Sequence, residues 1–217
     1  MSMQHERKPG ELTHTDVWGP VRVSSLHGYR YYVSFIDDVT RHCTISFMKT
    51  KDETPTKVKQ YLACIKHQNS FLPKAIQADN SREYINKDLQ MWCLDRGIEI
   101  QMTAPYTPEQ NGVTERWNKT VVELAHSMIF ARDIPNELWP KAMSHATYIQ
   151  NCAYMCAIPN KTLCEKWSGK RPDISFIQEF GHPVWILNQE LNPSKLDVKA
   201  KRHTFLGYER TKGNKIL

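Results

Sequence analysis

Three acidic residues stand in segments whose types and spacing suit metal-assisted phosphate chemistry. Asp16 lies in Thr13-His14-Thr15-Asp16-Val17-Trp18-Gly19-Pro20, and Asp79 in Ile76-Gln77-Ala78-Asp79-Asn80. Glu115 lies in Gln110-Asn111-Gly112-Val113-Thr114-Glu115-Arg116-Trp117. About 60 residues separate the first two acids, and 35 lie between Asp79 and Glu115. Three carboxylates brought together supply the hard oxygen donors that Mg²⁺ prefers, and two such ions can clamp the attacking and leaving oxygens of a phosphoryl transfer. Taken singly, each acid has a plainer role: Asp16 a turn or cap residue, Asp79-Asn80 a turn, and Glu115 a favourable charge in the first turn of a helix.

These segments resemble the retroviral-type integrase core, and most closely the branch found in copia-like LTR retrotransposons. The family's two aspartates, with 35 residues between the second and a glutamate, fall on Asp16, Asp79 and Glu115. The His-Thr-Asp-Val-Trp-Gly-Pro opening, Phe35-Ile36-Asp37-Asp38 and Pro108-Glu109-Gln110-Asn111-Gly112-Val113 also resemble that branch. The likeness covers roughly residues 10 to 217. It implies a ribonuclease H-like α/β fold and two Mg²⁺ (or Mn²⁺) ions held by Asp16, Asp79 and Glu115. It also implies trimming of a DNA 3′ end followed by attack of that end on target DNA. Lys119, four residues after Glu115, matches a family lysine and would contact DNA phosphate. Gln110-Asn111-Gly112 resembles the family's flexible active-site loop, and Asn80, Gln110 and Asn111 are further candidates for DNA contact. The expected partners are element-terminal DNA, target DNA or RNA, and further copies of the chain.

Two departures from the family pattern bear on activity. Ser81-Arg82 replaces the usual Gly-Gly after Asp-Asn, which would strain a turn requiring positive φ. Residues 1–10 hold His5 and no cysteine, so the family's His/Cys zinc domain is not expected in this chain. Both favour a competing expectation, a degenerate fragment that binds nucleic acid. A ribonuclease H-like nuclease acting on RNA–DNA hybrids is the other alternative, and the Gln-Asn-Gly-Val-x-Glu segment weighs against it.

The chain has 217 residues, 40% of them hydrophobic and 24% charged, which suits one sizeable domain with a small appendage. No apolar run is long enough to span a bilayer, and the polar N-terminus is not a secretory signal. An intracellular, nuclear location is therefore expected, with no membrane partner. Residues 181–217 carry seven basic and three acidic side chains, four of the net +6 charges. Lys199, Lys201 and Arg202 in that segment suggest a phosphate-contacting surface. Cys152, Cys156, Cys164 and His145 do not follow a standard zinc-finger spacing, and reduced, buried thiols are expected.

The elements that must position the acids follow from periodicity. Tyr29–Ile36 and Cys43–Met48 read as strands, joined by a turn at Asp37-Asp38, and pair with a strand bearing Asp16 in an antiparallel meander. Val58, Tyr61, Leu62 and Ile65 make one helical stripe. Lys74–Ala78 is a short strand ending at Asp79. Asn86–Arg96 is a helix closed by Gly97, and Ile98–Met102 another strand. Ala104–Gly112 reads as a loop, Val113–Phe130 as a helix with Glu115 in its first turn, and Asn136–Tyr154 as a helix capped by Asn136. Trp92, Trp117 and Trp139 read as core. The expected organisation is a tail (1–10), a ribonuclease H-like core with a mixed five-stranded sheet (11–156), a connector (157–179) and a basic, partial SH3-like β segment (180–217).

Overall fold

The strand that carries Asp16 is paired on both edges, and this fixes the architecture. In the computed structural model, which describes residues 7–69, 72–79, 83–103, 108–156, 158–187 and 199–208, β1 (Leu12–Trp18) runs antiparallel to β2 (Tyr31–Asp37) and parallel to β4 (Ala75–Ala78). β3 (Cys43–Met48) pairs antiparallel with β2, and β5 (Glu99–Met102) parallel with β4. The order β3-β2-β1-β4-β5 is a mixed five-stranded sheet, as expected from the sequence. Parallel pairing requires crossovers, supplied by α1 (Thr54–Asn69) between β3 and β4 and by α2 (Lys87–Leu94) between β4 and β5. The long α3 (Pro108–Ala131) and α4 (Trp139–Cys152) follow.

Alternation along β2 divides the core between the two faces. Val33 and Phe35 face α1 and α2, with Val58, Tyr61, Leu62, Ile65, Leu89 and Cys93. Tyr32 and Ile36 face α3 and α4, with Trp117, Val121, Trp139 and Met143. The stripe read from the sequence of α1 is thus its buried face. Trp117 and Trp139 are core residues, and Trp92 is partly buried with the Arg96 guanidinium 3.9 Å from its ring centre.

Asp37 and Asp38 build the β2–β3 turn. Asp37 is buried and accepts hydrogen bonds from the Gly10 and Thr40 amides and the Thr40 hydroxyl. Asp38 meets His14 Nε2 at 2.8 Å and Arg7 at 3.0 Å. These partners, His14 above all, hold its carboxyl well below the usual range. At the end of β1, Gly19 (φ +127°) explains the glycine of the Val-Trp-Gly-Pro segment. A Cβ there would stand 2.7 Å from the Arg30 carbonyl oxygen.

Three element boundaries differ from the sequence expectations. α3 begins at Pro108, five residues before Val113, so Gln110, Asn111 and Gly112 are helical rather than a loop. Proline is favoured at the first position of a helix because its missing N–H has no partner there. α4 is preceded by a 3₁₀ turn at Asn136–Leu138, and Asn136 caps neither element. Between 157 and 179 lie β7 (Ile158–Thr162), paired with β6 (Tyr154–Met155), and the short α5 (Leu163–Ser168). This segment is tied to the meander turn: Lys166 Nζ donates to the Val39 carbonyl at 2.9 Å, and Trp167 stacks on His42.

The C-terminal segment forms a ribbon of β8 (Pro183–Leu187) and β9 (Ala200–Thr204). It docks on α4 through aromatic contact, with His145 enclosed by Phe180, Phe205 and Tyr208 at ring distances of 5.7–5.8 Å. Neither ring nitrogen of His145 makes a well-formed hydrogen bond among the described residues. Burial pushes its pKa below the ordinary 6.5, opposed in part by the Gln178 backbone. A second tie holds α4 to β3, an outer strand of the sheet. Asn151 accepts from the Cys43 amide (3.0 Å) and donates to the Cys43 carbonyl (2.8 Å).

Asn151→Leu leaves both Cys43 backbone groups buried without partners, and urea unfolding should show a loss of about 3 kcal/mol. For His145 the sign follows from its depressed folded pKa. Above about pH 6.5 both states are neutral; as pH falls, the unfolded chain takes up the proton first, and stability declines toward the folded pKa. Urea midpoints measured between about pH 7 and pH 5 should therefore fall less steeply in His145→Phe than in the parent. Equal slopes would refute this account.

Candidate active site

Each acid is delivered by a different element. Asp16 projects from the middle of β1 on the face that α3 covers, since it alternates with Thr15, whose hydroxyl meets Tyr84 on the other face. Asp79 is the first residue beyond β4, the strand parallel to β1. The register Leu12↔Ala75, Thr13↔Ile76, His14↔Gln77 brings Asp79 to the level of Asp16. Tyr84 anchors the chain beyond Asp79. Its ring is almost fully buried, and its hydroxyl lies 2.8 Å from Thr15 Oγ1. Glu115 lies in the second turn of α3 rather than its first, a consequence of the earlier start of that helix, and is exposed.

Electrostatics ties the three together. Burial raises the Asp16 carboxyl above its ordinary value, and the charges of Asp79 and Glu115 raise it further. The Val17 amide and the Asn118 side chain oppose the shift. Asn118, one turn of α3 beyond Glu115, is buried and donates from Nδ2 to Asp16 Oδ2 at 2.8 Å. Its Oδ1 accepts from the buried Tyr32 hydroxyl at 3.1 Å. Sequence reading missed Asn118 and Tyr32. The available signal was an asparagine three residues from Glu115, hence on its face, and adjacent to the buried Trp117.

The donors fit a hard divalent cation: all three are carboxylates, and the mutual repulsion felt by Asp16 is what a cation would relieve. Among the described residues no three His, Cys, Asp or Glu side chains close tightly enough to form a chelating cluster.

The remaining candidates fall in three places. Lys119 is exposed on α3, one turn beyond Glu115. Gln110 and Asn111 contribute backbone to the first turn of α3, and their side chains lie outside the described residues, as do Asn80, Ser81 and Arg82. Lys199, Lys201 and Arg202 are exposed at the start of and along β9, on the separate ribbon. Cys152 and Cys164 are partly buried free thiols and Cys156 an exposed one, while His145 is occupied by its aromatic neighbours. No helix among the described residues is long and apolar enough to cross a membrane.

Residues 6–108 match the family model described as Integrase core domain. The chain contains an integrase core domain. It is 30% identical over 198 residues, 91% of its length, to the Retrovirus-related Pol polyprotein from transposon TNT 1-94 of Nicotiana tabacum. It is 28% identical over 204 residues to the corresponding polyprotein from transposon RE2 of Arabidopsis thaliana. The chain spans only 15% and 14% of those two relatives. Among solved structures, it resembles a chain of the simian T-cell lymphotropic virus intasome at a TM-score of 0.60 and 19% identity, covering 91% of this chain and 71% of that one. The HTLV-2 integrase catalytic core domain, solved in complex with magnesium, superposes at a TM-score of 0.56 and 18% identity, covering 73% of this chain and 96% of that one. The integrase core domain here thus has the ribonuclease H-like α/β fold.

Replacing a repelled carboxylate with an amide should stabilise the metal-free protein. Asp16→Asn retains an oxygen for Asn118 Nδ2 and removes the half-buried charge. In EDTA its melting temperature should rise by about 2–4 °C, roughly 1 kcal/mol for a chain of this size; a fall would contradict the charge coupling.

Proposed function

We propose that this chain supplies the catalytic core of a retrotransposon integrase, which trims a DNA 3′ end and then joins it to a target strand. The observation that carries this reading is the coupling of Asp16 with Asp79 and Glu115, the first two within the residues that match the integrase core domain and the third on the helix that follows. The transposon polyprotein relatives support the retroelement assignment, and the magnesium complex of the HTLV-2 core supports a divalent metal.

Asp16, Asp79 and Glu115 would hold two Mg²⁺ or Mn²⁺ ions. Such ions activate the attacking water or 3′-hydroxyl and stabilise the leaving oxygen of the phosphodiester. Asp16 is the fixed member, half-buried on β1 and hydrogen-bonded by Asn118. Glu115, exposed on α3, is the member free to adjust when DNA and metal arrive. Lys119, on the same helical face, would neutralise a phosphate beside the acids. Asn80, Gln110 and Asn111 would line the DNA path, and Lys199, Lys201 and Arg202 would grip backbone phosphates further along it. The chain would work in the nucleus as a multimer. The HTLV-2 core is described in both trimeric and dimeric forms.

The test is joining of a labelled duplex with a recessed 3′ end, matched to the element's terminus, in Mg²⁺ or Mn²⁺. Glu115→Gln should abolish joining while leaving circular dichroism unchanged and the melting temperature no lower than that of the parent. A variant that still joins would sink the three-acid assignment. Cleavage without joining would favour a ribonuclease H-like nuclease.

A further inference from the structure

The hydrogen bond between Asn118 and Asp16 has a donor behind it that the three-acid site does not require. Tyr32 is fully buried in β2. Trp18, its cross-strand neighbour, stacks on its ring at 5.3 Å. The hydroxyl reaches Asn118 Oδ1 at 3.1 Å, and Asn118 Nδ2 reaches Asp16 Oδ2 at 2.8 Å. An asparagine amide can be turned end for end at little cost unless its partners distinguish oxygen from nitrogen. Here both do. The carboxylate only accepts, so it demands the NH₂ end. The tyrosine proton demands the oxygen end, and burial together with the nearby Asp16 charge keeps that proton in place. If the amide were reversed, its oxygen would face a carboxylate oxygen.

The geometry points to Tyr32 as a positioning residue of the metal site, acting through Asn118 to fix the orientation of the Asp16 carboxylate. Tyr32 lies behind the ligand and touches neither substrate nor metal. Groups that orient a metal ligand from behind commonly contribute about 10–100-fold to metal affinity. The inference rests on Asp16 being a metal ligand, as proposed above.

The test uses the whole chain and Mn²⁺ as the probe, with affinity measured by calorimetry beside melting curves. Tyr32→Phe keeps the ring and its stacking on Trp18 and removes only the hydroxyl. We expect it to fold, and to bind Mn²⁺ about tenfold more weakly. Asn118→Leu should lose at least as much. The double variant should be no weaker than Asn118→Leu alone, because the hydroxyl acts only through the amide. Half-maximal joining should require correspondingly more Mn²⁺ in Tyr32→Phe, with the rate at saturating Mn²⁺ largely retained. Unchanged Mn²⁺ affinity in Tyr32→Phe, or a full additional loss in the double variant, overturns the inference. Glu115→Gln separates the two levels. If it loses Mn²⁺ binding while Tyr32→Phe does not, only the Tyr32 inference fails; if neither variant changes binding, the three-acid site fails with it.

Discussion

The double pairing of β1 is the constraint on which the remaining structure depends. A strand bonded on both edges has no freedom of register, because a slip of one residue would turn every side chain to the wrong face. β1 must also place different chemistry on its two faces. Thr13 and Thr15 meet the hydroxyls of Tyr61 and Tyr84 on the α1–α2 side. His14 and Asp16 are held by Asp38 and Asn118 through the other face. Four consecutive polar side chains at the centre of a sheet would ordinarily be costly to bury. Each here has a partner from a different part of the chain, so the strand is correctly satisfied only when the whole domain has assembled.

The site works against the stability of the domain that builds it. Burial and two neighbouring carboxylates disfavour the charged form of Asp16, while Asn118 and the Val17 amide give back part of that loss. Sites that bind cations commonly sit in such tension, with repulsion in the metal-free protein becoming affinity when the ion arrives. What distinguishes this site is asymmetry. Asp16 is half-buried and locked through two successive hydrogen bonds, whereas Glu115 stands exposed on α3.

Much of this was legible in the sequence. The meander, the α1 stripe and the strand ending at Asp79 all appear where periodicity put them, because alternation and 3.6-residue repeats are local properties. The start of α3 was not legible. Between 104 and 112 the prolines and Gly112 look like loop, yet Pro108 is tolerated at a helix start, and the packing of Trp117 and Val121 against the sheet outweighs the roughly 1 kcal/mol cost of an interior glycine. Asn136 misled for a related reason: the chain enters α4 through a 3₁₀ turn. The partners of Asp16 were hidden for another. Nothing near Tyr32 or Asn118 in sequence announces that residues 86 apart share a hydrogen bond; only the crossing of α3 over β2 brings them together.

The clasp between Asn151 and Cys43 has a consequence beyond the strength of two hydrogen bonds. β3 is an outer strand of the sheet, and an outer strand offers unpaired amides and carbonyls as a template on which another chain can extend the sheet. By engaging both backbone groups of Cys43, the side chain of Asn151 imitates a neighbouring strand for a single residue and then ends. The edge is occupied without being continued. If the chain gathers in several copies on DNA as proposed above, that would help to keep self-association from becoming aggregation along this border.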